Sequence, residues 1–443
     1  MLTKPTLKNF IFYTFISNAL IYLFQFLLNK NKVNYYECTE IKVYDFSIFS
    51  RKFDFIYPES CDLDAYLQGV QNIQNFYNIK NYVYFDRPLF ILYISIFYWT
   101  LNFVLSQLPI TSLVLIKASF FLGQLFLTSI ICVLICRILD FFKVDISKMY
   151  FTLPWMVSVS PMFKWHIYES TSMTFTFLIF LLGVHFVLNF DYLNHSSYFF
   201  YVGLLFLVHR SAALITVFIF LFSLLTKKIN YKFLRSSLFF FAPILLHYLI
   251  LIFYSGFEDH QAQGYRQFVW LIDFIQGKDT IIGGYFCQSP KLALVCYKND
   301  LMNLGEYLLI PIVFLLLILI TSYRYKFYQY KKLIIISITF AILINSFWLF
   351  IGWYPPIRFS YYGLGNLIIF LLLFVYAINI NKISKTIFLF AYTSNFLFLN
   401  HWNYSGVVEN SIFLFISSFS FLLYVILNYE SNQLRDKSKE KRL

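Results

Sequence analysis

The stretch SLVLIKASFFLGQLFLTSIICVLIC occupies residues 112–136 and carries a single charged residue, Lys117. About 20 apolar residues are enough to cross the hydrocarbon core of a bilayer as an α-helix. Segments of similar character recur along the 443-residue chain, of which 59% is hydrophobic. Soluble domains hold only about 45–50% apolar residues. The sequence therefore predicts an all-α membrane protein.

We expect about twelve transmembrane helices in one membrane domain, residues 1–443. The short pair 197–208 and 211–226 predicts a tight hairpin. Two polar insertions interrupt the domain: a first outer loop over residues 29–111, with interfacial helices, and a second over residues 256–303. The predicted spans are residues 10–28, 112–136, 147–163, 171–189, 197–208, 211–226, 236–255, 305–322, 333–351, 359–379, 385–401 and 411–428.

The net charge of +13 is unevenly distributed. With the N-terminus inside, the short inner loops and the tail 435–442 hold most of the Lys and Arg, whereas the outer segments hold slightly more acids than bases. This split follows the positive-inside rule. It predicts cytoplasmic N- and C-termini in a multi-pass protein, with a bacterial inner (plasma) membrane as the expected location. Membrane lipids are the expected surroundings, and nucleic acid is not an expected partner.

Residues 88–106 are apolar enough to span, but counting them as a span would reverse the charge bias of every later loop. We therefore expect a helix that lies at the outer interface or re-enters only partly. Tyr93, Tyr98 and Trp99 fit an interfacial aromatic belt.

Four cysteines fall in the two outer loops, as the pairs Cys38 with Cys61 and Cys287 with Cys296. An oxidising outer space favours two disulfides. Four free thiols remain the alternative, because sequence does not fix the geometry that a disulfide requires.

Asp62 and Asp64 precede a predicted helix start at residues 65–69 in the first outer loop. An acidic residue often caps such a start. Only one of the two can be the cap, so the other is a candidate general base for an acceptor hydroxyl. We favour Asp62 slightly as the base. Glu169 is a further catalytic candidate, in the short outer turn 164–169.

His166 and Glu169 lie three residues apart in the same turn. Together with Asp64 they are candidates for holding a divalent metal ion, which is the cofactor that the sequence allows. A plain solvated turn is the alternative, since turns are usually polar.

Several basic residues map to the outer face. A cation near the membrane surface needs a partner or an anionic ligand, so they are candidates for binding a lipid-linked phosphate. For Arg87 the alternatives are interfacial snorkelling and a local pair with Asp86. The candidate donor phosphate-binding residues are Arg87, Lys117, His209, Arg210 and Arg358.

These motifs, in this order and on this side, resemble the GT-C superfamily of glycosyltransferases. Residues 62–66 and 86–89 stand where the aminoarabinose and protein O-mannosyl transferases have an acidic start and an Arg-Pro element. Residues 168–175 resemble the acidic second outer loop of GPI mannosyltransferase-like members. His209-Arg210-Ser211 resembles their basic tight turn, and Arg358-Phe359 resembles their Arg-Tyr element.

The resemblance implies an inverting membrane glycosyltransferase. Its partners would be a polyprenyl-phosphate-linked sugar donor and a glycan, lipid or protein acceptor. Two other functions stay open. A polysaccharide polymerase or O-antigen ligase generally has its largest outer loop late in the chain, whereas here the longer one comes first. A lipid or polysaccharide transporter (flippase) should show paired broken helices or inverted halves, which are not visible here.

Overall fold

The computed structural model describes the chain in sections. Side chains are also described over most of these sections, but not for residues 22–28, 41–48, 51–58, 63–65, 251, 348–351, 361–362, 382 and 397–398. The described residues are 7–28, 41–48, 51–58, 63–71, 73, 87–108, 110–144, 149–160, 163, 172, 174–191, 195–253, 298, 308–318, 330–351, 361–378, 382–398 and 415–427.

The described part is helical apart from one hairpin. A 3₁₀ turn over Arg210–Ala212 precedes α8, another over Leu238–Phe240 joins α9 to α10, and a π turn over Tyr361–Gly365 precedes α13. The helices are α1 (Leu7–Leu28), α2 (Leu63–Gln71), α3 (Pro88–Leu105), α4 (Ser112–Phe141), α5 (Thr152–Val159), α6 (Phe175–Leu188), α7 (His195–Phe206), α8 (Ala213–Leu225), α9 (Tyr231–Ser237), α10 (Phe241–Phe253), α11 (Leu308–Ile318), α12 (Lys331–Ile351), α13 (Asn366–Ile378), α14 (Lys382–Phe398) and α15 (Phe415–Leu427).

The hairpin pairs β1 (Ile41–Ile48) with β2 (Arg51–Pro58) in antiparallel register, Tyr44 opposite Phe55. The sequence predicts an all-α protein with interfacial helices in this loop, so the two strands are a departure from that prediction. The difference has a physical cause, because β-branched and aromatic residues recur in both segments and favour extended backbone.

Three described helical segments are long and apolar enough to cross a membrane, by length and composition: Pro88–Leu105, Ser112–Phe141 and Tyr231–Ile250. Five shorter helices are also apolar. Large apolar side chains stand exposed on the outer faces, among them Phe103 and Phe253, each 83% exposed. Soluble monomeric proteins rarely expose large contiguous apolar patches. The described part thus has membrane-protein character, whereas twelve separate spans remain a prediction.

The N-terminal helix α1 packs one face against α4 and α5, whereas Phe12 and Phe15 on the other face are exposed. Asn18 donates one side-chain hydrogen bond to Ser158 Oγ of α5 (2.9 Å) and another to the carbonyl of Thr14 (2.9 Å). Ser129 of α4 donates to Thr14 Oγ1 at 3.3 Å. Interhelical hydrogen bonds between small polar side chains are a common means of joining helices in apolar surroundings.

Helix α3 crosses α4 steeply. An added Cβ at Gly123 would lie 2.7 Å from Ile94 Cδ1, so this glycine allows the closest approach. Contacts advance in the same direction along both helices, from Tyr93 Oη bonded to the Gly123 carbonyl (2.6 Å) to the Phe97–Phe126 ring pair. Only six residues join the two helices. This connection spans at most about 25 Å. That is shorter than the distance from the end of α3 back to the start of α4 if the two helices ran side by side in parallel.

Among the described side chains, most of the cations lie at one end of the bundle. We call the end that holds Lys117 the site end and the end that holds Lys143 the basic end. Ring contacts of Phe142 with Tyr330, and of Tyr330 with Phe374, bring the starts of α12 and the ends of α4 and α13 together at the basic end. The described cations there are Lys8, Arg137, Lys143, Lys227, Lys228, Lys232, Arg235, Lys331, Lys332 and Lys385, beside Asp140 and Asp191.

Candidate functional site

Arg87 stands at the start of α3. Its carbonyl accepts the amides of Phe90 (3.1 Å) and Ile91 (3.3 Å), and Pro88 is the first helical residue. Proline suits this position because its missing N–H would have no partner inside the helix. The predicted helix start at Pro88 is therefore confirmed.

Tyr66 of α2 contacts Arg87 at the site end. The guanidinium Nη1 of Arg87 donates a hydrogen bond to the Tyr66 hydroxyl. The Tyr66 ring is 1% exposed and packs edge-on against Phe90 (5.5 Å) and Phe120 (6.3 Å). From the sequence alone, Tyr66 is assigned no role of its own. Its contact with Arg87 joins residues 21 positions apart, so no local pattern signalled it.

His209 and Arg210 occupy the turn between α7 and α8, and this turn touches the start of α3. The backbone amide of Leu89 donates to the carbonyl of Leu207 at 3.2 Å. Pro88 has no amide hydrogen, so Leu89 is the first residue of α3 that can make such a bond. The two motifs that the sequence places 120 residues apart therefore lie side by side.

The surroundings of His209 favour the neutral form of its ring. It is 2% exposed, and its Nδ1 accepts the Ser211 amide (3.3 Å) and lies 2.9 Å from Ser211 Oγ. Burial lowers the pKa of His209 well below its ordinary value, and the nearby charges of Arg87 and Arg210 lower it further. Because Nδ1 accepts a hydrogen bond, we assign the ring proton to Nε2. In this assignment His209 is a hydrogen-bond donor and not a third positive charge beside Arg87 and Arg210.

Lys117 lies on α4, one turn before Phe120. Phe120 touches both Tyr66 and Phe90, so Lys117 belongs to the same end of the bundle. Its side chain is only 6% exposed. A lysine this deeply placed is uncommon unless it has a counter-charge or a polar partner.

The start of α6 also reaches the site end. Thr174 donates a hydrogen bond to the Gln124 side chain of α4, and both residues are buried. Phe175 packs against Phe90 (5.9 Å) and Tyr93 (5.8 Å). The chain therefore arrives at this end only five residues after Glu169.

Several predicted site residues lie outside the described part of the chain: Asp62, His166, Glu169 and Arg358, together with the four outer-loop cysteines. Asp64 is described by its backbone alone, as the second residue of α2. Among the side chains that are described, no group of three or more His, Cys, Asp or Glu residues could hold a metal ion. The metal candidates Asp64, His166 and Glu169 fall outside that set, so the metal stays a prediction.

Comparison of the chain with known protein families, with characterised proteins and with solved structures gives no match. The interpretation of the site therefore depends on its own geometry.

Proposed function

We propose that the protein is a multi-pass membrane glycosyltransferase of the GT-C type, which moves a sugar from a polyprenyl-phosphate donor to an acceptor hydroxyl on the outer face. The observation that carries the proposal is the convergence of Arg87, His209 and Arg210 beside Tyr66. Those residues come from three separate parts of the sequence, and Lys117 lies near them on α4. In this proposal the site end faces outward and the basic end faces the cytoplasm.

The proposed reaction is a single displacement. A carboxylate takes the proton of the acceptor hydroxyl, whose oxygen attacks the anomeric carbon while the bond to the phosphate oxygen breaks. The phosphate leaves with the bonding electron pair, so its negative charge grows. Arg87, Lys117 and Arg210 supply positive charge and His209 Nε2–H supplies a hydrogen bond, the kind of preorganised stabilisation that is usually the largest catalytic effect. One displacement inverts the configuration at that carbon.

The start of α2 bears on which carboxylate is the base. The helix begins at Leu63, so Asp62 holds the sequence position that normally caps a helix. This favours Asp64 as the base, against our slight sequence-based preference for Asp62.

The steep crossing of α3 over α4 supports the proposal that α3 lies at the outer interface, although α3 is itself long and apolar enough to cross a membrane.

Sugar transfer by purified protein tests the proposal, with a polyprenyl-phosphate sugar as donor. We expect the Asp64→Asn variant to lose transfer, because the amide keeps the shape and lacks the proton acceptor. The matched variant Asp62→Asn should stay close to wild type, because Asn caps a helix about as well as Asp. The reverse result would make Asp62 the base. Wild-type turnover in both variants would point to Glu169, and the proposal would lose its main chemical support.

A second pair of variants tests the phosphate role. Arg87→Met should reduce transfer by about 100-fold or more, since it removes a charge at the leaving group. Tyr66→Phe removes only the hydroxyl that accepts from Arg87. It should reduce transfer less, because the positive charge remains. Equal turnover of Arg87→Met and wild type would contradict the proposed role of this cluster.

A further inference from the structure

The turn and helix after α8 present exposed cations at the basic end. Lys227, Lys232 and Arg235 are all exposed, and we call these three residues the basic patch. Lys232 and Arg235 are three residues apart on α9, which puts their side chains on one face. Helix α9 leads into α10, and the segment Tyr231–Ile250 is long and apolar enough to cross a membrane. The basic patch thus adjoins the start of a candidate span.

Local structure fixes the backbone that carries the basic patch. Asn230 Oδ1 accepts the Phe233 amide (2.8 Å) and caps α9. Phe233 is 2% exposed, and its ring touches His195 and Phe199. Ser236 of α9 shares a hydrogen bond with Ser196 of α7 at 3.0 Å. The cations therefore stand on a packed element, not on a loose terminus.

Asp191 lies near the basic patch and already forms a salt bridge with Lys228. Lys228 lies 2.6 Å and 2.8 Å from the two carboxylate oxygens of Asp191, and 5.1 Å from the centre of the Phe190 ring. Asp191 and Asp140 are the acidic side chains among those that the structure describes. Asp191 is thus paired with Lys228, so it neutralises little of the positive charge of the basic patch.

Apolar side chains alternate with the cations on the same exposed face. Tyr231 is 78% exposed, Leu234 45% and Leu238 65%. A short helix with exposed cations, an aromatic residue and leucines is typical of a segment at the membrane surface, where anionic headgroups attract the charges and the apolar groups enter the acyl region.

We propose that the basic patch binds the headgroup of an anionic phospholipid in the leaflet at the basic end. This inference goes beyond the proposed transferase activity, because it concerns the opposite end of the bundle. It uses the membrane placement but none of the catalytic assignments, so sugar transfer and lipid binding can fail independently.

Lipid binding to the purified full-length protein tests the proposal. Delipidated protein in detergent is titrated with phosphatidylglycerol or with phosphatidylcholine, and bound lipid is counted by native mass spectrometry. The test variant is Lys227→Gln/Lys232→Gln/Arg235→Gln. The matched control is Lys8→Gln/Lys331→Gln/Lys332→Gln, which removes the same charge at the same end and leaves the basic patch intact. Thermal unfolding of each variant confirms that it is folded.

Wild-type protein should bind phosphatidylglycerol more tightly than phosphatidylcholine. Each cation near an anionic surface is worth about fivefold in affinity, so the test variant should lose up to about 100-fold for phosphatidylglycerol. The control should stay within about threefold of wild type. Equal losses in both variants would show a general charge effect and overturn the proposal, as would equal binding of the two lipids by wild-type protein.

Discussion

His209 combines a nearly complete burial with two neighbouring guanidinium groups, and this makes its stability contribution depend on pH. The pKa of the folded ring is lowered, whereas an unfolded histidine titrates near pH 6.5. The unfolded chain therefore takes up a proton that the folded ring resists. The stability that the neutral ring contributes is present above about pH 6.5 and is lost as the pH falls towards the lowered pKa.

We expect the melting temperature of the wild-type protein to fall between pH 8 and pH 5 by more than that of His209→Asn. Asparagine does not titrate, and its side-chain oxygen can still accept the Ser211 amide as histidine Nδ1 does. Thermal unfolding in detergent at both pH values measures the difference. Identical falls in the two proteins would mean that His209 is not held neutral by the fold.

The basic residues that the structure brings together could be named from the sequence, but their partners could not. The sequence marked Arg87, Lys117 and Arg210 as cations of one face, because charged residues next to apolar runs are rare. It gave no sign that Tyr66 would accept from Arg87, since the two belong to separate elements. It also suggested His209 only as a phosphate ligand, because protonation depends on burial and on the neighbouring charges.

At the scale of elements, close helix approaches occur at glycines. A Cβ added at Gly203 of α7 would lie 2.2 Å from the backbone oxygen of Phe240 and 2.7 Å from Pro243. A Cβ at Gly69 of α2 would lie 3.1 Å from Ile91 Cδ1, the flexible tip of a side chain. Backbone cannot move aside as a side-chain tip can, so the two positions should respond differently to the same substitution.

We expect Gly203→Ala to destabilise the protein by about 1–3 kcal/mol, because the extra methyl group forces α7 away from α10. Gly69→Ala is the matched control and should cost less than about 1 kcal/mol. Thermal unfolding in a mild detergent compares the two. A larger loss at Gly69 than at Gly203 would refute this account of the packing.

Helix positions were more predictable than the irregular parts. Every predicted span overlaps a described helix, because long apolar runs favour helices in any apolar environment. The hairpin over residues 41–58 was missed, since its aromatic residues were attributed to an interfacial surface. The π turn before α13 was also unexpected. It depends on Gly363, where a Cβ would come within 2.4 Å of the Ala341 carbonyl oxygen, a tertiary constraint that no local pattern reveals.

For the whole molecule, the charge difference between the two ends leads to a prediction of sidedness. The basic end should face the cytoplasm, as the positive-inside rule requires. In intact cells, an impermeant thiol reagent should therefore leave a cysteine at Lys331 unlabelled and label a cysteine at Gln107. Both positions are exposed, and the native cysteines would be replaced beforehand. Labelling of the Lys331 position from outside would invert the proposed topology and place the site on the cytoplasmic side.

The bond from Asn18 to Ser158 also has a consequence for biogenesis. Its two residues are 140 positions apart, so the ribosome adds Ser158 about 7–28 s after Asn18. During that interval the amide of Asn18 cannot use this partner, and an unsatisfied polar group in lipid is costly. The second bond, to the Thr14 carbonyl within α1, is available as soon as the helix forms. The nascent first helix therefore has one of the two Asn18 amide hydrogens bonded from the start, and the other gains its partner only when α5 is added.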